Sequence, residues 1–287
     1  MMQPLPFEYH VPESVNEAIY LLEKYPDAKI LAGGQSLIPM MKLRIASFPH
    51  LIDITRIRDL NYLSRGSTIE IGSIITVGEL ERIEGKGFEI IREAASQIAD
   101  PLIRNMGTIG GNIAHGDPSN DMPAVMMAMK AKFVITGPKG KRVVPADKFI
   151  TEPYTTILEE AEILTDIRID IPTTKSGGSY VKQKKSAGDF SIAAVASFVS
   201  LDTSGRVKDA GIGITSVSPV PKRAEKAEKF LVGKNLDEDS IREACDLITE
   251  ESSLFDDING SAEYKKKVLW RVARRSLINS RERALVS

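Results

Sequence analysis

Apolar residues first recur at helical spacing in Val15, Ala18, Ile19 and Leu22, behind Ser14 and Glu17 in capping-box spacing. This predicts an amino-terminal helix, with Pro26 just beyond its end. "AKILAGG" then reads as a short strand running into two adjacent glycines. "HLIDITRI" and "TIEIGSII" are further strands, and "VGEL" opens a short helix. "GFEIIREAASQIA" is a helix that Asp100-Pro101 is expected to stop. The following "RNMGTIGGNIAHGDPSNDMPAVMMAMKAKFVIT" reads as loop-rich in its first half. A helix in "MPAVMMAMK" follows, capped by Asp121, and then a strand in "AKFVIT". From 139 to 172 short strands alternate with turns, "EILTDIRIDIP" being the clearest.

The pattern changes at "TTKSGGSY", residues 173 to 180, which reads as a small-residue linker and a domain boundary. Beyond it, "FSIAAVASFVSL" and "RVKDAGIGITSV" flank the turn "DTSG", a hairpin signal. Helical segments follow in "PKRAEKAEKFLVG", "DEDSIREACDLITEE" and "SAEYKKKVLWRVARRSLIN". In the middle one Ile241, Ala244, Cys245 and Ile248 share a face, so Cys245 reads as a small core residue, not a nucleophile. The basic run Lys265 to Lys267 reads as a solvated helix face with Trp270 as its anchor. The fold class is therefore α+β, with units at 1–175 and 176–287.

Composition narrows the chemistry. The chain has 287 residues, 42% hydrophobic and 27% charged, with a formal net charge of −1, so it carries no general attraction for nucleic acid or anionic lipid. No apolar stretch reaches the roughly 20 residues needed to span a bilayer, and "MMQPLPFEYH" lacks a signal-peptide pattern. The cytoplasm is the expected location. One cysteine excludes an internal disulfide and an iron–sulfur cluster held by several thiolates of this chain. His10, His50 and His115 form no H-x-x-x-H pair, so no catalytic metal is expected. Redox chemistry here would need an organic cofactor.

Two glycine pairs stand out. Gly33-Gly34 precedes Gln35 and Ser36, and Gly110-Gly111 lies between Thr108 and Asn112. Adjacent glycines allow sharp turns and close ligand approach, and successive N–H groups can converge on one anion. Ser36 and Thr108 offer hydroxyl donors and Asn112 an amide. Spacing alone leaves an ordinary turn and a phosphate site equally open. Neither G-x-x-x-x-G-K-[ST] nor a helix-opening G-x-G-x-x-G is present, and "GIGITS" at 211–216 lies in the hairpin.

Together, "AGGQSLIPMMKLR" and "TIGGNIAHGDPSNDMPA" resemble the paired signature of the FAD-binding medium subunit of molybdenum hydroxylases, of the carbon monoxide dehydrogenase type. The likeness extends over essentially the whole chain, through "KQKKSAGDFSIAAVA" and "SVSPVPKRAEKAE". It implies a vanillyl-alcohol-oxidase (PCMH)-type FAD-binding domain with lobes at about 1–55 and 56–175. A smaller α+β domain with an antiparallel sheet and helices follows.

Residue by residue, the resemblance places Ala32, Gly33, Gly34, Gln35, Ser36 and Leu37 around the FAD pyrophosphate. Thr108, Gly110, Gly111 and Asn112 form the opposite wall. Asp121 falls at the adenosine ribose, Leu164 near the isoalloxazine ring, and Lys182 at the ring's polar edge, with Lys185 and Asp189 as weaker candidates. FAD is expected to be noncovalent and no residue is expected to act as a catalytic acid or base. Molybdopterin and the 2Fe–2S clusters would belong to a large and a small partner subunit, joined with this chain in a dimer of heterotrimers that serves an external electron acceptor. The competing expectations are a stand-alone FAD-dependent reductase and a non-catalytic assembly protein.

Overall fold

The computed structural model describes residues 3–85 and 87–287. Its amino-terminal lobe is a parallel sheet in the order β1-β3-β2, formed by β1 (Glu8–His10), β2 (Ala28–Leu31) and β3 (His50–Asp53). Parallel neighbours need crossovers, supplied by α1 (Val15–Lys24) and α2 (Leu37–Lys42). The Ser14 hydroxyl accepts from the Glu17 N–H, as the capping-box spacing predicts. Ala18 and Ile19 bury their side chains in one cluster with Ile52 and Ile54.

The next lobe is an antiparallel sheet in the order β4-β5-β10-β6-β7. Its strands are β4 (Leu63–Arg65), β5 (Thr68–Gly72), β6 (Lys132–Gly137), β7 (Gly140–Pro145) and β10 (Ile163–Asp170). Between β7 and β10 a small hairpin pairs β8 (Ile150–Glu152) with β9 (Thr155–Thr156). Five helices lie between β5 and β6: α3 (Val77–Arg82), α4 (Glu89–Ala95), α5 (Pro101–Met106), α6 (Ile109–His115) and α7 (Asp121–Ala128).

Helix α4 ends at Ala95, before Asp100-Pro101 as expected, while three features that follow differ from the sequence reading. Asp100-Pro101 starts α5. The Asp100 carboxylate accepts from the N–H groups of Leu102 and Ile103, and Pro101 sits at the first helical position, where its missing N–H costs nothing. The stretch read as loop-rich contains α6, with Thr108 as its cap. The cap position of α7 is Asn120, and Asp121 lies inside the first turn, buried. All eight α7 residues are buried, which suits a helix apolar on nearly every side.

The carboxyl-terminal sheet runs antiparallel through β11 (Ser176–Lys184), β12 (Ser191–Leu201), β13 (Val207–Thr215) and β14 (Lys222–Arg223). Helices α8 (Glu225–Leu231), α9 (Glu238–Glu251) and α10 (Ala262–Val286) pack on it. The predicted hairpin is β12–β13, while the latter part of the expected linker, from Ser176 on, is strand. Gly211 and Gly213 let β13 lie flat on α7: a Cβ at either would meet the Ala128 or Ala124 carbonyl oxygen at 1.9 Å. The glycines of "GIGITS" thus serve packing.

Cys245 is fully buried in the α9 core face with Ile241, Ala244 and Ile248. Burial pushes its thiol up to about 12. Native protein at pH 8 is therefore expected to leave Cys245 unreacted with a thiol reagent, with one equivalent reacting only after denaturation. The solvated reading of Lys265 to Lys267 fails at its first residue. Lys265 is fully buried, its ammonium 2.7 Å from the Asp257 carboxylate and 4.3 Å from the Phe255 ring centre. Trp270 is partly buried and donates its indole N–H to Asp246 at 2.8 Å.

Candidate cofactor site

Beyond β2 the chain turns through Ala32–Ser36 into α2. Gly34 makes the turn in the left-handed region, with φ of +70°, which residues with a Cβ adopt only at a cost. Among the described residues, the N–H groups of Gly33, Gly34, Gln35, Ser36 and Leu37 find no acceptor. None of these five residues is buried. The Gln35 amide donates to the Gly33 carbonyl at 3.1 Å and closes the turn, while the Ser36 hydroxyl makes no capping bond. Five successive open donors therefore stand at a partly exposed corner, an arrangement in which N–H groups can converge on one anion.

The second glycine segment differs. It runs along residues 73–77 like a zipper: Val77 N–H donates to the Gly107 carbonyl at 2.8 Å, Ile109 N–H to Ile75 at 2.9 Å, and Gly110 N–H to Ser73 at 2.8 Å. Gly111 N–H donates to the Thr108 hydroxyl oxygen at 3.1 Å and Asn112 N–H to the Thr108 carbonyl at 2.9 Å. The main-chain donors of 109–112 are thus already satisfied inside the chain. A Cβ on Gly110 would meet Ser73 at 2.6 Å, so this glycine provides close backbone approach and no open N–H.

The two segments touch. A Cβ on Gly33 would lie 2.1 Å from the Met106 carbonyl oxygen, and one on Gly111 would lie 3.6 Å from the Ala32 Cβ. Arg104 anchors the preceding helix: its guanidinium donates to both Glu81 carboxylate oxygens, at 2.8 and 3.2 Å, and to the Ile98 carbonyl at 3.0 Å. Two shielded polar atoms here lack a partner among the described residues, Ser73 Oγ and Asn112 Oδ1. A polar ligand seated between the glycine segments would suit such groups. The open corner and the glycine contacts fit a dinucleotide pyrophosphate, and the unpaired Asn112 Oδ1, an acceptor, suits a hydroxyl or N–H donor elsewhere on such a cofactor.

Leu164 is buried under α6, in the core cluster that holds Ile109 and Ile113. Asp121 and Lys182 meet away from solvent: their side chains are 5% and 1% exposed, and the Lys182 ammonium lies 3.0 Å from the Asp121 carboxylate. The Tyr180 hydroxyl donates to the same carboxylate. The structure thus brings Asp121, expected at the adenosine ribose, and Lys182, expected at the ring's polar edge, into one ion pair at the start of α7. Burial raises the Asp121 carboxyl above its usual range, and Lys182 and Tyr180 pull it back. Burial, aided by the carboxylate, holds the Tyr180 hydroxyl protonated far above neutral pH. Lys185 donates to the Ile258 carbonyl at 2.6 Å and Asp189 accepts from Ser186 N–H at 3.0 Å, both within carboxyl-terminal loops.

Sequence reasoning missed the supports of the site. Ser73, Arg104 and Met106-Gly107 shape the second wall, and Asn120 donates its amide to the Asn112 carbonyl at 2.6 Å. The Thr215 hydroxyl in turn donates to the Asn120 carbonyl at 3.0 Å, tying this wall to β13. The signal in the sequence was slight: "SIIT" places a small hydroxyl residue at each end of an apolar pair.

Residues 5–173 match the family of FAD-binding domains of molybdopterin dehydrogenases, and residues 178–279 match the carboxyl-terminal domain of carbon monoxide dehydrogenase flavoproteins. The chain belongs to this family of oxidoreductase flavoprotein subunits, and its cofactor is FAD. It is 41% identical to the carbon monoxide dehydrogenase medium chain of Hydrogenophaga pseudoflava, over 96% of this chain and 97% of that one. It is 42% identical to the corresponding medium chain of Afipia carboxidovorans, over 99% of both. The solved structure of Hydrogenophaga pseudoflava carbon monoxide dehydrogenase lacking the Mo-pyranopterin moiety superposes with a TM-score of 0.93, covering 98% of this chain and 99% of that one at 42% identity. No described helix is long and apolar enough to cross a membrane.

Proposed function

We propose that the chain holds FAD noncovalently between its two glycine segments and relays electrons inside a molybdenum hydroxylase. The observation that carries the site is the run of five open main-chain donors from Gly33 to Leu37, facing a wall whose own donors are spent. In this reading those N–H groups take the pyrophosphate, with the Ser36 and Thr108 hydroxyls and the Asn112 amide beside them. Gly110 and Gly111 let the second wall approach. FAD, when bound, supplies storage for two electrons and exchange one at a time. The chain's residues orient the cofactor and exclude water from its buried side: Leu164 packs beneath α6, and Asp121, Tyr180 and Lys182 fix the start of α7. No side chain here acts as a general acid or base.

The single cysteine supports a division of labour, because a 2Fe–2S cluster needs several thiolates. Electrons would arrive from clusters in a small partner subunit, after oxidation of substrate at a molybdopterin in a large one, and leave to an external acceptor. We place the complex in the cytoplasm as a dimer of heterotrimers. Leu102 and Met106, 79% and 58% exposed on α5, give the cofactor loop an apolar border suited to a partner.

Gly34→Val and Gly111→Val test the site. The first forces a β-branched residue into a left-handed turn, and the second sets a Cβ 2.8 Å from the Thr108 hydroxyl that caps α6. Both variants are expected to purify with little flavin absorbance and a far-ultraviolet circular dichroism spectrum like that of the parent. Undiminished flavin in both would remove the site assignment.

A further inference from the structure

At the opposite edge of the amino-terminal sheet from the glycine turn, three metal-ligating side chains converge. Glu8 and His10 lie two residues apart on β1, hence on one face, and parallel pairing sets Glu8 against His50 at the start of β3. His10 Nε2 and His50 Nδ1 are 3.1 Å apart, and a Glu8 carboxylate oxygen lies 3.9 and 3.5 Å from them. The histidine side chains are 18% and 19% exposed, whereas Glu8 is 69% exposed and free to swing. Tyr25, at the end of α1, stacks on both imidazoles, with ring centres 4.1 Å from His50 and 4.9 Å from His10.

We propose that Glu8, His10 and His50 form a binding site for a zinc-like divalent transition metal. A metal bonded to nitrogen at about 2.0–2.1 Å in a tetrahedron separates neighbouring donors by about 3.3 Å. The two ring nitrogens already stand near that spacing, and a small rotation of Glu8 brings its oxygen to it. Two imidazoles and one carboxylate select this class over calcium or magnesium, which take oxygen donors. Between the ring nitrogens sits either a shared proton or the metal; with metal bound, each ring carries its proton on the other nitrogen. The Tyr25 stack holds the two ring planes in place. The fourth position faces solvent and takes water. The three-residue β1 is thereby clipped to β3 across about 40 residues of chain.

The test is titration of the untagged full chain with zinc by calorimetry and with cobalt by visible absorbance. Wild type is expected to bind one equivalent at micromolar affinity, and cobalt to give tetrahedral d–d bands. Removing a group that merely orients a ligand costs about 10–100-fold in affinity, so His10→Ala and His50→Ala should each lose at least about 100-fold. Glu8→Gln, exposed and harmless to folding, should lose about tenfold or more, whereas His115→Ala should change nothing. Flavin content should stay constant throughout, which separates this site from the cofactor. Absence of stoichiometric binding to wild type, or binding undiminished in both Glu8→Gln and His10→Ala, overturns the proposal.

Discussion

Gly33→Ala is expected to yield a folded chain without bound flavin. The added Cβ would stand 2.1 Å from the Met106 carbonyl oxygen and 2.7 Å from the Gly107 Cα, where ordinary contact begins near 3.4 Å. One side must yield by about 1 Å or more. The Met106-Gly107 side is held: Gly107 N–H donates to the Ile103 carbonyl at 2.7 Å, and the Gly107 carbonyl accepts from Val77 N–H. The 33–37 turn has five N–H groups with no acceptor among the described residues, so it is the softer partner and moves. Hydrogen bonds to a charged group contribute about 1.5–3 kcal/mol each. Misplacing two of them costs about 3–6 kcal/mol, a loss in FAD affinity of roughly 100-fold or more. Flavin absorbance per chain after purification, followed by FAD titration of the stripped protein, measures it. A Gly33→Ala chain carrying a full equivalent of FAD would show that contact with Met106 does not shape the turn.

What could be read in the sequence was largely local. The Ser14–Glu17 cap, the β12–β13 hairpin and the Cys245 face of α9 depend on neighbours a few residues away, and the structure bears them out. Asp100-Pro101 shows the limit of a local rule: α4 ends before it as expected, but proline also favours the first position of a helix, and α5 starts there. Helix α6 was hidden by Gly110-Gly111, poor helix formers whose cost is offset by backbone packing against Ser73, far off in sequence. The same distant segment separates the two glycine pairs chemically. Both looked like anion cradles, yet in the second the 73–77 segment takes the N–H groups of Ile109 and Gly110, and Thr108 takes those of Gly111 and Asn112. Lys265 read as solvated because its partner Asp257 lies outside the periodic segment. His10 and His50 were tested only for helical metal spacing, whereas their geometry comes from a strand and its neighbour.

The Asp121–Lys182 pair, 61 residues apart, left no trace in periodicity, yet Lys182→Met should be among the most destabilising single changes. Lys182 donates at 3.1 Å to one Asp121 oxygen, and Tyr180 donates to the other. Removing the ammonium leaves a carboxylate 5% exposed with the tyrosine as its remaining donor. Breaking a buried pair in this way costs about 3–5 kcal/mol. The sign of the pH dependence follows from burial, which already raises the Asp121 carboxyl and meets less opposition without Lys182. With its folded pKa above its unfolded value, the folded state binds the extra proton. Stability from this group is thus fully present below the unfolded pKa and is lost as pH rises through the folded one. The deficit of Lys182→Met relative to wild type should therefore be small near pH 4 and largest at pH 7–8, measured by urea unfolding. Adding Asp121→Asn should recover much of it at neutral pH, because no buried charge remains. A deficit flat in pH and unchanged by Asp121→Asn would mean that Lys182 acts through packing alone. The effect should also reach the cofactor wall: Asp121 follows Asn120, whose amide holds the Asn112 carbonyl at 2.6 Å, so loosening the start of α7 releases the second glycine segment. Flavin affinity in Lys182→Met should fall with stability and return with Asp121→Asn, an outcome that direct contact between Lys182 and the flavin would not give.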